Sequence, residues 1–249
     1  MQKNPLFAKH EAASSINAVI LDYGKVLVRS PTPQEFSRMA EVLNVDFEMF
    51  YKLWEASRGA YDRSDLTAEE YWLKLAAQCN TSVDGKQIEI LRKLEVEIWV
   101  HADPAILDWL SQLHAAGIKT ALLSNMPTDL MTYVLNNLPW MKHFTFKTFS
   151  AEVRLIKPDP AIYKQTLEGV GVTAPEALFV DDRENNVQAA RALGMHAVQF
   201  HSVEQLRRDL EKLGFPVLPA AATRAVSAES GVASPSDGAS VESEFSPQL

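Results

Sequence analysis

The chain has 249 residues, is 47% hydrophobic and carries a formal charge of −8, so it holds enough apolar surface for one sizeable core and a smaller accessory domain. The acidic balance, with no Lys/Arg stripe, excludes a large nucleic-acid footprint, because phosphate backbones select basic faces. One cysteine, Cys79, excludes an intramolecular disulfide and reads as a small buried hydrophobe; without a secretory leader or an apolar run of about 18 residues, the sequence reads as a soluble cytoplasmic protein that makes no membrane contact.

Residues 1–15 lack sustained periodicity and are expected to form a disordered lead-in. The run INAVIL (16–21) is a predicted strand that ends at Asp22. From about residue 33 to 100 the pattern turns helical, with helices predicted over 34–43, 47–57, 68–78 and 85–99, the third opened by a Thr67/Glu70 capping box. Asp103 and Pro104 open a further helix that Gly117 closes. The strand IKTALL (118–123) then delivers Ser124 and Asn125, and helices are predicted over 129–138 and 160–170. A last strand, ALFV (177–180), delivers Asp181 and Asp182 before helices over 184–193 and 203–213, with Gly194 and Gly214 as stops. Residues 219–249, rich in Ala, Ser, Pro and Glu and carrying a net −3, are expected to be a disordered tail.

Strands alternating with helices after residue 118 predict a doubly wound, mainly parallel α/β sheet. The helical stretch after the first strand predicts an inserted domain over 32–102, which splits the core into 16–31 plus 103–218. Polar residues ending three apolar runs mark an active site at the carboxyl edge of such a sheet. The five tryptophans, Trp54, Trp72, Trp99, Trp109 and Trp140, read as core or interface fillers.

In order, VILDYGKVL, a helical insertion, LLSN, IKPDPAIY and FVDDRENNVQAA resemble the haloacid dehalogenase-like hydrolase superfamily over nearly all of 16–213. The resemblance implies a three-layer α/β core with a helical cap, and phosphoryl transfer to an aspartate or, less often, dehalogenation. It makes Asp22 the nucleophile and a metal ligand, Ser124 the hydroxyl that binds the transferring phosphoryl group, and Lys157 the motif lysine, with Pro158 beginning the next helix. Asn125 is a substrate-binding helper. Asp182 is the metal carboxylate of the last motif, with Asp181 acting through water or orienting its neighbours, and the Gly24 carbonyl a further metal ligand. Asn185 and Asn186 fall near this group, Asn185 also as a helix cap.

Two unit charges about 4 Å apart repel by about 4 kcal/mol at an effective dielectric near 20, so a carboxylate attacks a phosphate dianion only where charge is cancelled. Asp22, Asp181 and Asp182 require a cation beside Lys157, and acidic oxygen ligands without a His/Cys cluster favour magnesium. The usual motif is Asp-x-Asp-Gly, whereas this chain has Asp22-Tyr23-Gly24-Lys25; the second aspartate, the family's general acid and base, is absent. Such assistance is worth typically 10²–10⁴-fold. Either the leaving group needs little protonation, as in an anomeric sugar phosphate, or a cap side chain replaces it, the candidates being Arg58, Tyr61, Asp62, Arg63 and Asp65. The expectation is a magnesium-dependent phosphatase or phosphotransferase of a small phosphorylated metabolite. The alternatives are a 2-haloacid dehalogenase, against which the paired aspartates count, and a catalytically silent binding protein.

Overall fold

The computed structural model describes residues 16–220. The expected lead-in over 1–15, and the expected tail apart from Pro219 and Ala220, lie outside these residues. Chain order begins with β1 (Ala18–Leu21), then four helices, α1 (Pro33–Leu43), α2 (Phe47–Asp62), α3 (Ala68–Gln78) and α4 (Gly85–Glu97). After α5 (Pro104–Ala115) come β2 (Lys119–Ser124), α6 (Thr128–Asn137), β3 (Phe146–Phe149), the single turn α7 (Ser150–Val153) and α8 (Pro160–Val170). The chain continues through β4 (Ala177–Asp181), α9 (Glu184–Ala192), β5 (His196–Gln199) and α10 (Val203–Lys212).

The strands form one parallel sheet in the order β3-β2-β1-β4-β5. Its two faces are read directly from alternation along the strands. Val19, Leu21, Leu122, Leu178 and Val180 pack with Ile106, Trp109 and Leu110 of α5 and Leu206 and Leu210 of α10. Ala18, Ile20, Ala121, Leu123 and Phe179 pack with Ile162 and Tyr163 of α8 and Val187 of α9. These two hydrophobic layers sandwich the sheet, so the architecture is a three-layer α/β core.

Helices α1 to α4 bury a separate cluster around Met39, Phe50, Trp72 and Leu91, with Cys79 inside it. Three of them start with a capping box, Thr32/Glu35, Thr67/Glu70 and Asp84/Gln87, in which each side chain satisfies an orphan N–H of the first turn. This bundle docks on the core through Arg92 of α4, whose guanidinium donates to both Asp129 carboxylate oxygens at 2.5 and 2.8 Å. Ser150 Oγ adds a bond to the Asp62 carbonyl at 2.6 Å.

Strands β3 and β5 have no counterpart in the sequence reading. Both are four-residue edge strands with polar members and part-exposed residues, so they lack the continuous apolar run of a central strand. Helix α2 extends five residues beyond the expected end at Ser57 and passes through Gly59. At Gly59 a Cβ would meet only Ile156 Cδ1, at 3.6 Å. Helix α8 begins at Pro160, as the expectation over 160–170 has it and not at Pro158, because the Asp159 side chain caps it by accepting from Ala161 N–H.

Candidate active site

The ends of three strands, β1, β2 and β4, build one wall of a cavity of about 120 Å³. Asp22 follows β1, and its N–H still donates to Val180 O at 2.9 Å, so sheet register fixes its place. The chain then turns sharply. Leu27 and Val28 N–H groups both donate to Tyr23 O, and Lys25 sits at the tip with φ 60°. Tyr23 Oη donates to Trp99 O at 2.7 Å and ties this loop to the segment returning from the helical bundle. Arg29 N–H to His101 O at 2.8 Å and Asp103 N–H to Leu27 O at 2.9 Å join the two crossing segments.

Lys157 is buried and its ammonium meets three acceptors, Leu123 O at 2.9 Å, Asp22 Oδ1 at 2.7 Å and Asp181 Oδ2 at 2.6 Å. Each of its three protons therefore has a partner. Burial works against the charged ammonium, but Asp181 and Asp22 outweigh it and raise the Lys157 pKa. Burial likewise raises the Asp22 carboxyl to about 7, against the pull of Lys157 and with Asp181 and Asp182 adding repulsion. Asp22 Oδ1 also accepts from the Tyr23 N–H at 2.7 Å.

Asp181, the last residue of β4, is fully buried, and its carboxylate accepts from Arg183 N–H at 2.8 Å and from Asn186 Nδ2 at 3.0 and 3.1 Å as well as from Lys157. Asp182 is part-exposed and faces the cavity, with Lys25 Nζ 3.5 Å from its Oδ2. Asp22, Asp181 and Asp182 each offer a carboxylate oxygen within 4.8 Å of the others. Asn186 Oδ1 is buried beside this group with no hydrogen-bond partner among the described residues. Ser124, at the end of β2, lines the cavity.

The geometry revises several expectations. Asn125, expected to bind substrate, has both polar ends occupied by the Lys157 backbone: Oδ1 accepts from Lys157 N at 2.9 Å and Nδ2 donates to Lys157 O at 3.1 Å. It clamps the loop that carries the lysine. Asn185 is exposed inside α9 rather than capping it, since Arg183 is the N-cap. Of the cap candidates, Arg58 and Asp62 line the cavity. Tyr61 is buried in the bundle, and Arg63 pairs with Asp65, which also takes Arg154 at 3.2 Å. Trp54 and Trp99 line the cavity too, against the reading of all five tryptophans as fillers.

Sequence reasoning passed over Lys25 and Arg183, which stand within the quoted motifs themselves. Trp99 packs tightly against Gly24, the position without the second aspartate. A Cβ on Gly24 would lie 3.2 Å from Trp99 Cζ3, so a side chain there would need the ring to move by a few tenths of an ångström.

The opposite wall comes from the helical bundle. Arg58 on α2 stacks its guanidinium 4.8 Å from the Trp54 ring and 5.0 Å from Tyr61. It pairs with Asp62 one turn on, at 2.6 Å, and closely with Glu95 of α4.

A parallel sheet with a carboxylate cluster and a buried lysine at its carboxyl edge, under a helical cover, defines a Rossmann-like α/β catalytic fold of the haloacid dehalogenase kind. Residues 16–194 match the haloacid dehalogenase-like hydrolase model, and the chain belongs to that family. Phosphoglycolate phosphatase of Salmonella typhi is 34% identical over 120 residues, covering 45% of this chain and 48% of that protein. The chain thus spans about half the length of such curated relatives. Acyl-CoA dehydrogenase family member 10 of Mus musculus is 28% identical over 229 residues, 84% of this chain and 20% of that protein.

Among solved structures, a HAD family enzyme of Bacteroides thetaiotaomicron in complex with magnesium and inorganic phosphate superposes with a TM-score of 0.60 at 22% identity, covering 75% of this chain and 94% of that one. L-2-haloacid dehalogenase of Xanthobacter autotrophicus, with chloropropionic acid covalently bound, gives 0.59 at 20% identity, covering 79% and 83%. These two share the fold with this chain. No helix among the described residues is long and apolar enough to cross a membrane.

Proposed function

We propose that this chain is a magnesium-dependent phosphatase of a small phosphorylated metabolite, working through a phosphoaspartate on Asp22, with residues 32–102 as the cap over the site. The observation that carries this reading is the joint position of Lys157 against Asp22 and Asp181, with three carboxylate oxygens within 4.8 Å of one another. Such a group of acidic side chains is stable only where positive charge balances it. Lys157 and Lys25 supply two ammonium charges against three carboxylates.

The donor set fits a hard divalent cation: oxygen ligands, no imidazole or thiolate, and the buried Asn186 carbonyl oxygen without a partner beside them. Asp22 and Asp182 would hold it, with the Gly24 carbonyl, while Asp181, saturated by Lys157, Asn186 and Arg183, orients the lysine. When bound, the cation supplies electrostatic stabilisation to phosphoryl oxygens. Lys157 holds Asp22 in place and lowers the repulsion an incoming phosphate meets. Ser124, which ends β2 and lines the cavity, supplies the hydroxyl that donates to a phosphoryl oxygen in this reading. The small cavity suits a compact substrate, since drug-sized pockets run to about 300–1,000 Å³.

The test is phosphate release from aryl and sugar phosphates with magnesium, set beside Asp22→Asn. We expect the variant to lose about 10³-fold or more. Equal rates, or turnover of 2-haloacids untouched by a chelator, would replace this reading.

A further inference from the structure

We propose that Asp62, on the cap helix α2, is the general acid and base of the reaction, supplying from the cap what Gly24 cannot. This rests on the phosphatase reading above.

The place beside Asp22 where the family's acid would stand carries no side chain, and a Cβ built on Gly24 would crowd the Trp99 ring at 3.2 Å. A replacement must face the cavity, carry a transferable proton and stand apart from the carboxylates that gather the positive charge. Lysine and arginine at this site are cations held by carboxylates, and the Tyr23 hydroxyl is committed to Trp99 O. Asp22 and Asp182 belong to the carboxylate cluster. Asp62 is the remaining carboxyl among the residues lining the cavity.

Its surroundings suit the task. One guanidinium, Arg58, serves two buried carboxylates, Asp62 and Glu95. Two carboxylates on one cation leave a surplus negative charge in a poorly hydrated place, and a single shared proton removes it. Glu95 is buried away from the cavity lining, whereas Asp62 borders the cavity. Arg58 donates to Asp62 Oδ1, and Oδ2 has no hydrogen-bond partner among the described residues. Burial raises the Asp62 pKa, with Arg58 and more distantly Arg183 opposing.

Position is held from the core side. Ser150 Oγ donates to the Asp62 carbonyl at 2.6 Å and accepts from Met126 N–H at 2.9 Å, two residues beyond Ser124. One hydroxyl thus ties the end of α2 to the loop after β2. The extension of α2 through Gly59 matters here, because it sets Arg58 and Asp62 four residues apart on one helix face.

In the first half-reaction an Asp22 oxygen bonds to phosphorus as the bond from phosphorus to the leaving oxygen breaks, and the Asp62 proton passes to that oxygen. In the second, the Asp62 carboxylate takes a proton from the water whose oxygen bonds to phosphorus. The bond from phosphorus to Asp22 breaks, inorganic phosphate leaves and Asp62 is protonated again.

The test compares wild type, Asp62→Asn and Asp22→Asn on two substrates of similar size with magnesium present. Phenyl phosphate releases a phenol of pKa about 10, and 4-nitrophenyl phosphate releases a far more acidic one. For Asp62→Asn, kcat/KM should fall about 10²-fold or more on phenyl phosphate and at least about tenfold less on the nitro compound. A phosphate-sized mass increase should also accumulate on the variant after acid quench. An equal loss on both substrates, or no loss, with wild type active, overturns the assignment of Asp62 and leaves the phosphatase reading standing. Wild type inactive on both, and indistinguishable from Asp22→Asn, ends both. If Asp62→Asn fails to fold by thermal melt, a wild-type series of substituted phenyl phosphates decides: a shallow dependence of kcat/KM on phenol acidity supports the assignment and a steep one overturns it.

Discussion

Each wall of the cavity is a buried cation between two carboxylates, Lys157 between Asp22 and Asp181 on the core side and Arg58 between Asp62 and Glu95 on the cap side. They are held differently. The core trio hangs on the ends of paired strands, where register fixes each backbone to its neighbour, and every ammonium proton has an acceptor. The cap trio spans two helices, and its guanidinium leans on the rings of Trp54, Tyr61 and Tyr71. A point charge held by sheet register tolerates little change at its own position. A planar cation on an aromatic bed depends on the packing of the whole bundle.

That contrast can be broken most sharply by removing each cation. Lys157→Met should abolish activity, by about 10³-fold or more, and should cost about 3–5 kcal/mol in urea unfolding, since two carboxylates stay buried without their partner. Arg58→Met should cost about the same in stability by the same physics and yet retain measurable turnover. If Arg58→Met is the more damaging to catalysis, the core wall is not where the chemistry lies.

Metal addition separates the walls next. Magnesium at about a hundred times its Kd should stabilise the protein by about 2.7 kcal/mol, read as a rise in Tm. Asp182→Asn should remove most of that rise and Glu95→Gln none of it. Gly24→Asp, which restores the usual motif, should destabilise by about 1–3 kcal/mol through overpacking against Trp99 and bring no gain in rate. Pairing it with Trp99→Ala should recover part of the loss, a coupling a double-mutant cycle measures.

The smallest effect tests the joint between the walls. Glu35 caps α1 and binds Arg29 of the outgoing segment at 2.6 and 2.9 Å, with His101 of the returning segment 3.5 Å away. The Arg29 guanidinium draws the Glu35 pKa down from 4.5 to about 2. A depressed carboxylate stabilises above its unfolded pKa and loses that contribution as pH falls through its folded one. Glu35→Gln should therefore cost about 1 kcal/mol at pH 7, Arg29 being well exposed to solvent, and only a small part of that near pH 2, where the contribution is nearly lost. Unfolding curves at the two pH values check it.

The central strands were legible because both faces of β1, β4 and most of β2 are buried, which writes them as mainly apolar runs, AVIL, ALFV and ALL, each followed by a polar residue. The same condition fails at the sheet edges, and β3 and β5 went unseen. Helix starts were legible from Thr67, Asp103 and Pro104, because caps act over three or four residues. Asn125 misled because its amide fits a ligand and a neighbouring backbone equally well, and only the approach of the Lys157 loop decides between them.

By itself, the sequence determined the α/β class, the helical insertion and the set of strand-end residues Asp22, Ser124, Asp181 and Asp182, since local periodicity and burial write these along the chain. Only the tertiary structure decided that Trp99 packs tightly against Gly24, that Arg58 is shared by Asp62 and Glu95, and that Asn186 leaves one carbonyl oxygen unpaired near the carboxylates. Those contacts join residues far apart in the chain, and their geometry comes from how the bundle docks on the sheet rather than from any repeat along it.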